Sequence, residues 1–312
     1  MALDLRQRLA RSPAEPVLLD GGLGTELIAM GLEQGRAPEW WVIEHPERIE
    51  GVHRAYVEAG SDVIHSCTFG ASPSKLASVG LEGRCDEVNR LAVELARRAA
   101  GETALVAGDV GPTGKLYPPM GDADTESLLA AFRAQVAALS AAGADLISIE
   151  TMFDLREALA AVQAARESGL PVLASMTFEA KKRGVFTIVG DRLVPALAAL
   201  AEAGADAVGL NCSVSSTEMI PMVQEATAGL EHPLVAQPNA GQPRVTPEGV
   251  TYDARPEPFA MDLMEMVRAG ARIIGGCCGS DPEFIRAARL ALDALFADGQ
   301  ASTRPPAPPD CP

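Results

Sequence analysis

The segment "EAGADAV" (202–208) decides the fold. It follows an Ala- and Leu-rich stretch with helical spacing, passes through Gly204, and runs into the apolar "AVGLNCS" (207–213). A glycine suits the residue that closes a helix there, because a positive φ costs a residue without Cβ little. The same joint recurs as "EAGSDVI" (58–64), "AAGADLI" (141–147) and "RAGARII" (268–274), at Gly60, Gly143 and Gly270. A helix-to-strand joint used four times predicts alternating strands and helices, as in a parallel sheet made of βα units.

Between the joints, strands are predicted at VLLD (17–20), VIHSC (63–67), ALVAGDV (104–110), LISIET (146–151), PVLASMTF (171–178), AVGLNCS (207–213), PLVAQPN (233–239) and IIGGCC (273–278). Helices are predicted near 47–59, 86–100, 125–142, 154–168, 191–203, 216–229, 257–269 and 282–296. Eight such units predict an α/β fold, a (β/α)8 TIM barrel, as a single domain over residues 1–298. An open doubly wound sheet is the structural alternative. Hydrophobic residues make up 47% of the chain but aromatic ones only 4%, so the core is built from Ala, Val, Leu and Ile. That mixture suits helices packed on short apolar strands. The Pro-rich residues 299–312 have no apolar periodicity and read as a disordered tail, which leaves Cys311 little weight.

A net charge of −16 argues against binding through nucleic-acid phosphates or an anionic membrane surface. The N-terminal stretch lacks the apolar core of a signal peptide, and no apolar run is long enough to span a bilayer. The six cysteines, Cys67, Cys85, Cys212, Cys277, Cys278 and Cys311, are not spaced as a disulfide framework. Free thiols or metal ligands in a cytoplasmic protein are therefore expected.

In a TIM barrel the chemistry sits at the C-terminal ends of the strands. Those ends carry Asp20-Gly21-Gly22, Ser66-Cys67-Thr68, Asp109, Glu150-Thr151, Asn211-Cys212-Ser213, Pro238-Asn239 and Cys277-Cys278. Strands six and eight point at one mouth, so Cys212 can meet Cys277 and Cys278, and the flanking Gly275, Gly276 and Gly279 permit a bend that keeps neighbouring thiols together. Three thiolates match Zn2+ and leave its fourth tetrahedral position open, the catalytic pattern. Small buried cysteines filling the mouth are the plain alternative. Asp20 and Glu150 form a carboxylate pair able to hold an ammonium group, and the Gly21–Thr25 backbone can offer N–H groups to a carboxylate. Together these features describe a grip for an α-amino acid. Capping of the loop by Asp20 and an ion pair across the mouth by Glu150 are the structural alternatives. Of His45, His53, His65 and His232, only His65 falls within a strand and none is expected at a strand's C-terminal end, so no general base is foreseen.

The motifs "LLDGGLGTEL" (18–27), "CTFGASPSKL" (67–76), "GDVGPTGKL" (108–116), "ETMFDLREALAA" (150–161), "GLNCS" (209–213), "QPNAGQP" (237–243) and "GGCCGSDPEFI" (275–285) occur in one order. In them the chain resembles the homocysteine S-methyltransferase family over roughly residues 10–296. The nearest likeness is to the homocysteine-binding barrel of cobalamin-dependent methionine synthases. The resemblance implies Zn2+ on Cys212, Cys277 and Cys278, with the homocysteine sulfur in the open position. It places the amino-acid end of homocysteine around Asp20, Gly21 and Glu150, with Thr68 nearby, and lets Asn239 approach the metal when substrate is absent. The implied activity is transfer of a methyl group to homocysteine to form methionine. Methylcobalamin on a separate corrinoid protein is the expected donor, since one barrel fills the chain. A small donor, S-methylmethionine or betaine, is the alternative, as is a non-catalytic thiol- or zinc-binding module; a metal-free redox dithiol is a further class. Two departures stand out: Cys67 replaces the Asn usual before Thr-Phe, and residues 183–194 lack the usual Ser-Gly or Thr-Gly pair.

Overall fold

The computed structural model describes residues 5–10, 15–242, 244–246 and 249–297. Eight parallel strands form one sheet: β1 (Val17–Leu18), β2 (Val63–His65), β3 (Leu105–Val110), β4 (Leu146–Met152), β5 (Val172–Met176), β6 (Ala207–Ser215), β7 (Leu234–Asn239) and β8 (Ala271–Ile274). β1 pairs with β8 on one side. On the other side a parallel bridge between Leu19 and Val63 joins β1 to β2, and the sheet closes into the expected (β/α)8 barrel. The predicted helices appear between the strands, each within two residues of its expected bounds.

The four joint glycines have φ of 105° (Gly60), 90° (Gly143), 98° (Gly204) and 112° (Gly270). The N–H groups after three of them reach back into the helix, as in Ser61 to Tyr56, Ala144 to Leu139 and Ala205 to Leu200. These bonds satisfy carbonyls that a helix end leaves open. The aspartate of the joint has a part that the sequence reading missed. Asp62, Asp145 and Asp206 each accept the N–H of a residue at or beside the start of a neighbouring strand, from Leu18 (2.8 Å), Val106 (2.7 Å) and Val172 (2.8 Å). Arg289, Arg97 and Arg6 pair with the same three carboxylates. The repeated motif thus both ends a helix and ties a strand to its neighbour.

Inside the barrel, Leu19, Val63, Leu105, Leu146, Leu173, Ala207, Val235 and Ile273 pack into one cluster with Leu5, from the short helix Leu5–Ala10. Strand side chains alternate between faces, so positions two and four further along share this inward face. That parity leads from Val63 to His65, from Leu146 to Ser148 and Glu150, and from Ala207 to Gly209 and Asn211. Two small hairpins, Glu179–Lys181 with Gly184–Phe186 and Arg244–Thr246 with Gly249–Thr251, extend from the ends of β5 and β7. The first contains the start of the departing segment 183–194. Among the described residues, no helix is long and apolar enough to cross a membrane. The expected tail, 299–312, lies outside the described residues.

Candidate metal and amino-acid site

β6 and the loop after β8 bring Cys212, Cys277 and Cys278 together, with all three sulfurs within 4.8 Å of one another. Cys212 Sγ lies 3.9 Å from Cys278 Sγ, across 66 residues of sequence. Parity alone would turn Cys212 outward, because Asn211 takes the inward position. The pairing of β6 with β7 slips between Asn211 and Ser215, and Cys212 and Ser213 adopt φ of 60° and 64°. Left-handed backbone at successive non-glycine residues is costly and persists only where the surroundings impose it. Fully buried Asn211 supplies part of that constraint. It accepts the Thr151 N–H and donates to Thr151 Oγ1, both at 2.7 Å, and Thr151 itself has φ of 60°. Its Nδ2 also reaches Cys277 Sγ at 3.9 Å. On the opposite side, β8 stops at Ile274 and Gly275-Gly276 turn the chain. Gly276 N–H then bonds the Asp20 carbonyl and Cys277 N–H the Pro238 carbonyl, both at 2.9 Å.

The donor set fits a tetrahedral thiophilic cation. With metal–sulfur bonds of about 2.3 Å, tetrahedral angles separate the sulfurs by about 3.8 Å, close to the Cys212–Cys278 distance. The thiols of Cys277 and Cys278 donate towards Cys212 and, against the effect of burial, pull its pKa down to about 3. The same sharing pushes Cys278 up to about 12 and Cys277 well above its ordinary range. The trio therefore favours one shared thiolate. Asn239 also donates towards Cys212, and its buried Oδ1 has no hydrogen-bond partner. This places Asn239 beside the sulfurs.

A cavity of about 600 Å³ opens over the sulfurs, within the range of small-molecule sites, roughly 300–1,000 Å³. Its wall includes Gly21, His65, Thr68 and Glu150 together with the three cysteines. Asp20 is not on that wall. It is 1% exposed, and both its oxygens face His65: Oδ2 accepts the backbone N–H at 2.8 Å and Oδ1 lies 2.6 Å from Nδ1. The other ring nitrogen lies 3.0 Å from Ser148 Oγ and 3.9 Å from Glu150 Oε2. His65 thus ends β2 and stands between the two carboxylates, which corrects the expectation that no histidine closes a strand. Thr68 Oγ1 bonds Ser66 and the Asp109 carbonyl, so its hydroxyl is engaged within the barrel. A Cβ at Gly21 would meet the Ser280 carbonyl at 2.4 Å, so the absent side chain lets the two mouth loops pack. The N–H groups of Gly22 and Leu23 bond Ser280 and Gly21 carbonyls, which removes two of the donors assigned to the Gly21–Thr25 loop.

Burial disfavours charge on His65, but Asp20, by charge and hydrogen bond, and then Glu150 and Asp109 outweigh it and push its pKa up to about 10. His53, buried behind, is held neutral, pushed down to about 4 chiefly by burial. Burial, with the charge of Glu150, holds the Asp109 carboxyl well above the usual range, and Asp109 Oδ1 has no partner. Burial raises Glu150 also, against the pull of His65. The Cys67 thiol is pushed well up by burial and stays protonated. The departure at Cys67 is therefore an inert wall residue.

A His65 pKa above the unfolded value, about 6.5, contributes stability that is complete below that value and is lost as pH rises through about 10. Thermal unfolding of the wild type and of His65→Gln, followed by circular dichroism, should show the largest gap at about pH 6. The gap should narrow towards pH 10, with Asp20, Asp109, Glu150 and His53 unchanged in both proteins. A gap independent of pH would exclude a charged imidazole.

The fold is a β/α barrel whose mouth gathers three cysteines beside a cavity. The chain belongs to the homocysteine S-methyltransferase family, whose model matches residues 17–292. It is similar to the methionine synthases of Mycobacterium tuberculosis, at 30% identity, and Mycobacterium leprae, at 29%, in each case over 292 residues covering 88% of this chain. It spans 24% of the length of these curated relatives. Among solved structures it resembles the homocysteine methyltransferase MmuM from Escherichia coli in its metallated form. That match has a TM-score of 0.75 and 29% identity, and covers 91% of this chain and 99% of MmuM.

Proposed function

We propose that this protein transfers a methyl group to the thiol of homocysteine, forming methionine, with Zn2+ held by Cys212, Cys277 and Cys278. The observation that carries this reading is the convergence of three sulfurs on one side of a cavity whose wall also holds Glu150 and His65. Zn2+ bound there supplies Lewis acidity that makes a fourth sulfur a thiolate near neutral pH. Glu150 takes the ammonium group, Asp20 supports it from behind His65, and the loop at Gly21 borders the carboxylate. Thr68 borders the space left for the side chain, and Asn239 lies beside the sulfurs. The substrate sulfur then donates its electron pair to the methyl carbon, and the bond from that carbon to its carrier breaks with its pair remaining on the carrier. No proton moves at carbon. The chain's part in this step is to orient and to exclude water.

Methylcobalamin on a separate corrinoid protein is the proposed donor, supported by the likeness to methionine synthases, of which the chain spans only one portion. A small donor is the second reading, supported by the size of the cavity. Purified zinc-loaded protein should be given homocysteine with methylcobalamin, S-methylmethionine or glycine betaine in turn. Methionine formed with methylcobalamin supports the first reading. Formation only with a small donor supports the second, and no product with any donor overturns catalysis.

A further inference from the structure

The sequence singles out two carboxylates, but the structure places an imidazole between them. We propose that His65 is a positioning residue that makes the site selective for thiols bearing an α-ammonium group, by holding Glu150 towards the cavity. The inference rests on the function proposed above and goes beyond it in naming the residue that sets acceptor choice.

The argument starts from which groups a ligand can reach. Asp20 is 1% exposed and off the cavity wall, and its two oxygens are already engaged by His65. It has no surface to offer an ammonium group. Glu150 is on the wall and its side chain is 15% exposed. Among the described residues, the basic side chain within 4.0 Å of it is His65, at 3.9 Å from Nε2 to Oε2. No neutral group could replace that partner fully, because a carboxylate in so buried a place needs a charged or well-bonded neighbour. The imidazole cannot drift, since Nδ1 is fixed by Asp20 and Nε2 by Ser148. Asp20, Ser148 and the β2 backbone therefore act on the ligand only through His65, and His65 acts through Glu150. This explains why a barrel mouth that should hold an ammonium group carries a cation of its own. It orients and balances the carboxylate, and the second carboxylate, Asp20, balances it in turn.

Binding, which needs no methyl donor, tests the proposal. Calorimetry on zinc-loaded protein would compare homocysteine with 4-mercaptobutyrate, the same chain without the amino group. Wild type should prefer homocysteine. His65→Gln should lose about 10- to 100-fold of that preference, within the range of coupling between residues in direct contact. Its zinc content and its affinity for 4-mercaptobutyrate should be unchanged. Glu150→Gln should lose the preference as well, and the double variant should lose no more than Glu150→Gln alone, because coupled residues are not additive. Ser148→Ala, which preserves volume in case His65→Gln does not fold, should lose a smaller part of the same preference. Unchanged preference in His65→Gln, an equal loss for both thiols, or additive losses in the double variant would overturn the role of His65. A wild type that binds neither thiol would instead overturn the functional reading on which it rests.

Discussion

Cys277→Ala is expected to abolish both metal binding and methyl transfer. The three sulfurs lie within 4.8 Å of one another, and a chelate of two is far weaker than one of three. Losing a group that merely supports a ligand costs about 10- to 100-fold in metal affinity, and loss of a ligand itself should exceed that. Cys277 also receives the Asn211 amide at 3.9 Å, so its removal unbalances the group that holds Thr151 and Cys212 in place. Metal content after dialysis, read by elemental analysis, should fall from near stoichiometric to background, and methionine formation should fall with it. Cys85→Ala, at a half-buried thiol that faces the Ala71 carbonyl away from the trio, is the control and should retain both. Full metal and full activity in Cys277→Ala would remove the zinc assignment.

Gly209→Ala should produce the second large effect, and through folding rather than chemistry. Gly209 faces inward on β6, where a Cβ would fall 2.1 Å from the Val235 carbonyl oxygen and 2.6 Å from Val235 Cβ. The nearer atom is backbone of the paired strand, so it cannot swing aside without disturbing the β6–β7 ladder. Overpacking of this kind costs about 3 kcal/mol, which in a chain of this size lowers the unfolding midpoint by about 5 °C. Because the same ladder ends in Asn211 and Asn239, metal affinity should fall together with stability. Gly51→Ala offers the contrast: in the helix Pro46–Ala59 a methyl there meets nothing within 4 Å. That change should stabilise by about 0.5–1 kcal/mol. Equal midpoints for the two variants in a thermal melt would remove the close-approach argument.

Much of the candidate site was legible before any coordinates. Cys212, Cys277 and Cys278 could be placed at strand ends by counting βα units, and the strand-end rule picked out Glu150 and Asn239. The roles of His65 and Asn211 were missed for a reason that parity exposes. Counting by two from Val63 and Ala207 puts both on the inward face, but that face can be named only once the buried cluster around Leu19 and Leu146 is known. The engagement of both Asp20 oxygens by His65 was not legible, because a carboxylate in sequence does not reveal which neighbour already occupies it.

The sequence by itself determined the barrel. Its instructions are local: a glycine that ends each joint helix, and apolar runs too short for anything but buried strands. Each can be satisfied within a few residues or between adjacent units, so the chain states it openly. Only the tertiary structure decided what the mouth contains. Ring closure sets His65 against Asp20, 45 residues away, and a slipped ladder with left-handed backbone turns Cys212 towards sulfurs that regular alternation would deny it. Those placements depend on the packing of several strands at once, and no short stretch of the chain records that sum.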